Sequence, residues 1–259
     1  MPSEAVKIRS YLTECRERFG GSLDRPTKGL VRGAARLYDQ LLDDHHDRYP
    51  FELLQNAHDA CAGQADRSGK ISFVWSNEAL HVSDNGEGFF EANVEALCAL
   101  GNTTKLGEKG SIGYKGIGFV SVYELTDTPQ ILTHHGVNFG FNLIEARKNQ
   151  RPPMLLPDLL EDSDLGSDGP LIERLRKRGA KTIIRLPFRP TDQADESYRR
   201  LLEVMRPEAL IFMPKIGDLE FRFGEECSSW SCKQLRRNKV GPGTFYRLSV
   251  AGETKDWLM

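Results

Sequence analysis

The sequence predicts an α+β fold, in which a mixed, mostly antiparallel sheet carries helices on one face. Helical periodicity dominates the first 64 residues, and strand-like runs joined by glycine-rich loops follow. Helices and strands do not alternate strictly, which argues against a doubly wound parallel sheet. A chain of 259 residues is long enough for one large domain, or for one domain and the start of another.

Three helices are predicted at the start of the chain. A charged helix covers residues 1–20 and ends at Gly20-Gly21. A second helix covers residues 27–48, where apolar side chains recur at spacings of three and four. Pro50 begins a third helix over residues 51–64, a position where proline is well tolerated.

Strands and loops make up most of the remaining chain. Strands are predicted at 71–75, 79–83, 130–133, 138–143, 181–188, 211–213, 219–223 and 245–250, and helices at 94–100, 117–125 and 195–204. The proline- and acid-rich stretch 151–170 is predicted to be an insertion loop. We expect one domain over residues 1–190 and an extension over 191–259 that starts a following domain of a longer protein.

The composition and net charge of the chain are ordinary, so they assign no function by themselves. The net charge of −2 gives no electrostatic argument for nucleic acid or for an anionic membrane. No stretch approaches the roughly 18 consecutive apolar residues of a membrane span. The five cysteines are scattered, which favours reduced thiols in a cytoplasmic protein. Cys227 and Cys232 lack the second pair that a zinc site needs.

The first candidate segment lies on the third helix. Glu52, Asn56 and Asp59 are spaced by four and three residues, so they share one helix face. An amide oxygen can take a position on a hydrated Mg²⁺, and a carboxylate can orient a water. A solvated polar face would give the same pattern.

The second candidate segment is Asp84-Asn-Gly86-Glu-Gly88-Phe89, directly after a strand. A carboxylate at a strand end can accept a hydrogen bond from an exocyclic amine such as that of adenine. Glycines beside it let a flat ring approach the backbone. An ordinary Asn-Gly turn is the alternative.

The third candidate segment is Gly113-Tyr-Lys115-Gly116-Ile117-Gly118-Phe119, which precedes a predicted helix. Free N–H groups at a helix N-terminus attract anions, and Lys115 and Lys105 would add charge beside a triphosphate. The segment lacks the Gly-Lys-Ser/Thr ending of a P-loop, and no acidic ribose contact suggests a dinucleotide site.

Together, in this order, the three segments resemble the GHKL ATPase superfamily of gyrase B, the ninety-kilodalton heat-shock chaperone, histidine kinases and MutL. Residues 52–60 are similar to its N-box, and 84–89 and 113–119 to its two glycine boxes. Thr182 stands where the superfamily has a strand threonine. Residues 51–60 and 101–105 look most like the chaperone-like branch that includes sacsin and the plant NO VEIN protein.

The resemblance implies a Bergerat fold, a two-layer α/β sandwich that binds ATP and Mg²⁺. It implies that Glu52 is the general base, that Asn56 holds the Mg²⁺, and that Asp84 binds adenine with support from Thr182. The other implied nucleotide contacts are Asp59, Gly86, Gly88, Phe89, Thr104, Lys105, Gly113, Lys115, Gly116, Ile117, Gly118 and Phe119. Residues of about 90–115 would form a mobile lid.

The resemblance also implies ATP hydrolysis that drives conformational change in a larger protein. Histidine kinases usually lack an acid four residues before the metal-binding Asn, so Glu52 favours hydrolysis. A nucleotide sensor without turnover and a histidine-kinase-like phosphoryl transfer remain as alternatives. The basic residue that contacts the γ-phosphate in this superfamily is not assigned, and Arg206 and Lys215 are candidates. The isolated domain is therefore expected to be slow.

The partners expected besides ATP are a second copy of the chain in an ATP-dependent homodimer and the downstream domains of the same protein. Nucleic acid is not indicated by the charge, although the basic run 174–178 leaves it possible. A solvated helix face is the favoured explanation of that run. No membrane partner is expected.

Overall fold

The computed structural model describes residues 2–43, 48–98, 118–234 and 245–258. The helices in these ranges are α1 (Glu4–Gly20), α2 (Arg25–Asp43), α3 (Tyr49–Ala60), α4 (Glu91–Cys98), α5 (Leu143–Asn149), α6 (Gly169–Lys177) and α7 (Ala194–Val204). Short 3₁₀ helices cover Gly118–Glu124, Pro153–Leu155, Asp162–Asp168 and Pro207–Phe212.

Ten strands form one sheet in the described part of the chain. They are β1 (Gly69–Trp75), β2 (Ala79–Asp84), β3 (Gln130–Thr133), β4 (Asn138–Gly140), β5 (Asp158–Leu160), β6 (Thr182–Pro187), β7 (Ile216–Phe223), β8 (Glu226–Gln234), β9 (Phe245–Val250) and β10 (Glu253–Leu258). Their order is β10-β9-β8-β7-β1-β2-β6-β3-β4-β5. Only β1 and β7 pair in parallel among these strands. The predicted α+β class with a mixed, mostly antiparallel sheet is confirmed.

The strands β7 to β10 belong to the same sheet as the rest of the chain. Strand β7 pairs with β1 along its length, from Gly69 opposite Ile216 to Trp75 opposite Phe223. Strands β8, β9 and β10 then follow as antiparallel neighbours. A domain boundary at residue 190 stays a prediction, and strands β7 to β10 continue the sheet beyond it.

The main hydrophobic core lies between one sheet face and the helices. Side chains alternate across a strand, so facing residues of neighbouring strands form apolar rows on this face. One such row crosses six strands through Phe221, Phe73, Val82, Ile184, Ile131 and Phe139. Buried side chains of α1, α3, α4 and α7 pack against it.

A second, smaller core lies on the opposite face of the sheet. Val74, Leu132 and Ile183 point away from the main core and contact Ile172 and Leu175 of helix α6. Most helices therefore lie on one face, as predicted, and α6 covers part of the other.

A buried ionic network sits next to this second core. Arg185 on β6 donates to Asp168 Oδ2 at 2.8 Å and to Gln130 Oε1 at 3.0 Å. His81 Nε2 lies 3.3 Å from the same carboxylate oxygen. Burial opposes ionisation of Asp168, but hydrogen bonds from His81, Ser76 and Arg185 hold its pKa at about 2.

Some element predictions were wrong in the second half of the chain. Residues 151–170 are not an open loop, because Met154, Leu156 and Leu165 are buried and two 3₁₀ helices and β5 form there. The prolines begin a 3₁₀ turn instead of marking a loop. The strand predicted at 211–213 is the end of the 3₁₀ helix Pro207–Phe212. Strands β8 and β10 were not predicted.

We expect Asp168→Ala to lower the free energy of unfolding by about 3–5 kcal/mol, because it leaves the buried Arg185 cation unpaired. Urea unfolding at neutral pH measures the change. Asp162→Ala, an exposed acid in the same 3₁₀ helix, is the matched control and should stay within about 0.5 kcal/mol. The Asp168 contribution is present above pH 4 and lost as pH falls towards 2, since its folded pKa is depressed.

Candidate functional site

Helix α3 presents its polar stripe away from the core. Leu53, Leu54 and Ala57 are buried and hold the helix against the core. On the other side Glu52 and Asp59 are half-buried, and Asn56 is exposed. The predicted face of Glu52, Asn56 and Asp59 therefore exists, with the amide open to solvent.

The carboxylate of Asp84 is buried at the end of β2. It is 8% exposed, and its Oδ1 accepts the Gly86 N–H at 2.9 Å. Burial raises the pKa of Asp84 to about 7, against the lowering effects of the Gly86 N–H and the Lys181 charge. A carboxyl group that titrates near neutrality is unusual, and groups of this kind cluster at functional sites.

Thr182 lies directly beside Asp84 in the sheet. The two residues are register partners of β6 and β2, so their side chains point to the same face. Thr182 is buried, and Thr133 of β3 is its next partner across the sheet. The structure thus brings the predicted threonine to the predicted aspartate, on the face that carries the helices.

The Asp84 turn is packed tightly against the end of α3. The Glu87 N–H donates to the Ala60 carbonyl at 2.8 Å. A Cβ at Gly86 would lie 2.7 Å from both the Cβ and the carbonyl oxygen of Ala60, so only glycine fits there. The close contact fixes the turn relative to the helix that carries Glu52.

Gly88 and Phe89 continue the turn towards the β3–β4 loop. Gly88 has φ of 94°, and a Cβ there would overlap the His134 ring. The Phe89 ring packs on Phe139, with centroids 6.1 Å apart. Both residues are therefore required by the local packing, whatever else they contact.

The third segment meets α3 from the other side. A Cβ at Gly118 would overlap the Glu52 carboxylate, so the glycine backbone lies directly against that group. Phe119 is buried against Phe141, with ring centroids 6.4 Å apart. The helix predicted at 117–125 is a 3₁₀ helix, Gly118–Glu124, in which Ser121 Oγ donates to the Gly118 carbonyl.

The Asp84 turn and the described end of the third segment, Gly118, therefore both contact helix α3, which carries the first segment. Its first turn meets Gly118, and its last residue meets Gly86. Six predicted nucleotide contacts lie outside the described residues: Thr104, Lys105, Gly113, Lys115, Gly116 and Ile117. The same holds for most of the predicted lid.

The two candidates for a γ-phosphate contact are placed differently. Lys215 donates to the Gln64 carbonyl at 2.8 Å and pairs with Asp66 at 2.9 Å. Arg206 is exposed. Neither residue is selected by these contacts, so the assignment stays open.

Three residues near the site were not assigned a role from the sequence. The Lys181 N–H donates to the Asp84 carbonyl at 2.8 Å, next to the carboxyl group that its charge affects. His134 fills the space beside Gly88. His58 is buried, with Nδ1 3.2 Å from Asp59 Oδ1. The glycine at position 88 indicated in the sequence that another group lies close to the backbone, but it did not identify that group as His134.

Comparison with known proteins gives a family match to the part of the chain that carries the candidate site. Residues 35–140 match the family model of the Sacsin domain. That range contains α3, the Asp84 turn and the Gly118 helix, and it ends before Thr182.

A particular relative is Protein NO VEIN of Arabidopsis thaliana. It is 30% identical to this chain over 194 residues, which cover 73% of the chain. The match spans only 7% of the length of NO VEIN. The chain is thus related to sacsin-domain and NO VEIN-like proteins, as the sequence predicted. No helix in the described ranges is both long and apolar enough to cross a bilayer.

We expect Asp84→Asn to stabilise the ligand-free protein at pH 8. The folded chain keeps the Asp84 proton up to about pH 7, whereas the unfolded chain releases it near the ordinary aspartate pKa of 3.8. The stability contributed by the proton is therefore complete below pH 4 and lost as pH rises through 7.

The neutral amide of Asp84→Asn avoids this loss, so the variant should gain about 2–4 kcal/mol at pH 8 and nothing near pH 4. Urea unfolding across this range measures the gap between variant and wild type. Asp218→Asn, an exposed acid on the other sheet face, is the control and should show no such trend. A gap that does not depend on pH would contradict the buried carboxyl.

Proposed function

We propose that this domain binds Mg-ATP between α3, the Asp84 turn and the Gly118 3₁₀ helix, and hydrolyses it as a GHKL-type ATPase. The observation that carries the proposal is the close approach of α3 to two glycines, Gly86 at one end and Gly118 at the other. These contacts support the proposal because they bring the Asp84 turn and the Gly118 helix to opposite ends of the helix that carries Glu52. The sacsin-domain match over the same residues supports the proposal.

The adenine end is supported by Asp84 and Thr182. A buried carboxylate accepts strongly from an exocyclic amine, and a threonine hydroxyl beside it can donate or accept. Because the pKa of Asp84 is about 7, an amine donor is expected to draw the group into its ionised form on binding. Gly86 keeps side chains away from the ring plane on this side.

The residues present fit a hydrated magnesium ion carried by the nucleotide. The described residues contain no group of three or more His, Cys, Asp or Glu side chains arranged as a metal site. Mg²⁺ bound with phosphates needs only one or two protein oxygens and keeps several waters. Asn56, exposed on the stripe, would supply such an oxygen, and the ion would neutralise phosphate charge.

In this proposal Glu52 is the general base. Its carboxylate is half-buried and lies against the Gly118 backbone, four residues before Asn56 and on the same helix face. A carboxylate held beside a phosphate-binding backbone can orient a water and accept its proton. Hydrolysis needs this group, whereas nucleotide binding alone does not.

The length of NO VEIN supports a role for this domain within a larger protein. NO VEIN is many times longer than this chain, so we propose that nucleotide turnover here changes the conformation of a larger protein. An ATP-dependent homodimer and contacts with downstream domains belong to the same proposal.

We expect isothermal calorimetry to detect Mg-ATP binding by the wild-type chain, and Asp84→Asn to weaken it at least tenfold. A hydrogen bond to a charged partner is worth about 1.5–3 kcal/mol, and the amide would present a donor to the adenine amine. Asp218→Asn should bind as wild type does. Equal affinity of wild type and Asp84→Asn would refute the adenine site.

We expect Glu52→Gln to bind Mg-ATP with wild-type affinity and to lose steady-state phosphate release by about 10²–10⁴-fold. Glu173→Gln, the same change at an exposed position of α6, is the control. Turnover that survives in Glu52→Gln would remove its role as base. Binding without turnover in the wild type would support a nucleotide sensor, and label from γ-labelled ATP retained on the protein would support phosphoryl transfer.

A further inference from the structure

Two of the five cysteines face each other across helices α1 and α4. Cys15 is 8% exposed and Cys98 is 2% exposed, and both are free thiols. Both thiols line one cavity, and the interaction between them is the largest influence on the pKa of each. Cys15 and Cys98 are 83 positions apart in the sequence, so the fold alone brings them together.

The pair lies at the wall of a cavity of about 360 Å³. Both thiols line it, together with Tyr11, Val31, Leu155 and Leu30, so its surface is mainly apolar. Leu30 is 76% exposed, which shows that the cavity reaches the protein surface. A small apolar molecule therefore has a route to the thiols.

The two thiols differ in acidity. Hydrogen bonding from Cys98 lowers the pKa of Cys15 to about 7, although burial opposes this; the Tyr11 hydroxyl and the Arg18 charge add to the lowering. The same contact raises the pKa of Cys98 well above its usual value. Glu14 is the acidic neighbour that acts against the thiolate of Cys15. Thiolates, not thiols, are the nucleophiles, so Cys15 is the reactive member of the pair.

We propose that Cys15 and Cys98 form a redox-reactive thiol pair, which a small apolar hydroperoxide reaches through this cavity and converts to a disulfide between α1 and α4. This site is separate from the nucleotide site and does not depend on ATP binding.

The reaction balances in two steps. The Cys15 thiolate attacks the hydroperoxide, the O–O bond breaks, and the alkoxide leaves and takes a proton from solvent, which leaves a sulfenic acid on Cys15. The Cys98 sulfur then attacks the Cys15 sulfur, and hydroxide leaves with the Cys98 proton as water. Two thiols lose two electrons, and the hydroperoxide becomes an alcohol and water. A dithiol reductant restores the pair.

The remaining described cysteines provide internal comparisons. Burial raises the pKa of Cys61 to about 11, and burial also raises that of Cys232. Cys227 is exposed. Reaction at the paired site should therefore exceed reaction at the exposed thiol, although Cys227 is far more accessible.

The test treats the reduced full chain with one equivalent of tert-butyl hydroperoxide, blocks remaining thiols and maps the peptides by mass spectrometry. We expect a Cys15–Cys98 disulfide as the main product, and the same product in Cys61→Ser. In Cys98→Ser, a dimedone adduct on Cys15 should replace the disulfide. Oxidation confined to Cys227, or equal at all cysteines, would overturn the proposal.

The pH dependence of alkylation by iodoacetamide provides a second readout. The rate at Cys15 should be half-maximal near pH 7 in wild type. Cys98→Ser keeps a hydrogen-bond donor and should keep that midpoint, whereas Cys98→Ala should move it upward by about one pH unit or more. Identical midpoints in the two variants would contradict the pairing. If both variants unfold, the wild-type peptide map and wild-type midpoint still decide.

Discussion

The arrangement of the candidate site depends on the contacts of helix α3 with the backbone of two glycines. Helix α3 meets Gly86 at its last residue and Gly118 in its first turn; a Cβ at Gly86 would collide with Ala60, and one at Gly118 would displace the Glu52 carboxylate. Because the core side of α3 is fixed by Leu53, Leu54 and Ala57, the helix cannot retreat from these contacts. The spacing between its two ends therefore sets the distance between the Asp84 turn and the Gly118 helix. The separation of the two contacts follows from helix geometry, at about 1.5 Å per residue.

Burial of Asp84 disfavours the charged form of its carboxyl group and so lowers stability at high pH. The protein holds a carboxyl group where its charged form is disfavoured, and only the Gly86 N–H and the Lys181 charge offset that cost. On the other sheet face, Asp168 is buried as deeply but is matched by Arg185 and His81, and its pKa moves the other way. Asp84 ends strand β2 and Asp168 ends a 3₁₀ helix, and the two acids differ in what surrounds them. A buried acid without a cationic hydrogen-bond partner is typical of functional sites, whereas a buried acid paired with arginine is typical of structural ion pairs.

The sequence predicted the α+β class, the first three helices, the central strands and the identity of the segments that meet at α3. These features rest on local patterns: helical spacing, a strand followed by Asp-x-Gly-x-Gly, and a glycine triplet. The failures have a different origin. Strand β8 reads ECSSWSCKQ and has Trp230 as its one large apolar side chain, so its period of two does not stand out in a hydrophobicity pattern. The apolar cluster at 154–156 looked like part of a loop because prolines flank it. The Cys15–Cys98 and Asp168–Arg185 pairs depend on tertiary contact, which spacing along the chain does not report.

The parallel pairing of β1 with β7 has a mechanical consequence. Ile71 stands between Asp84 on one side and Leu219 on the other, so one strand alone separates the acid from the β7–β10 half of the sheet. A slip of one residue between β1 and β7 would turn apolar side chains such as Phe73 and Phe221 to the wrong face. Strands β1 and β7 therefore cannot slide past each other, and they move as one rigid unit. Any load applied through the C-terminal strands therefore reaches β2, the strand that ends at Asp84, by way of β1 alone.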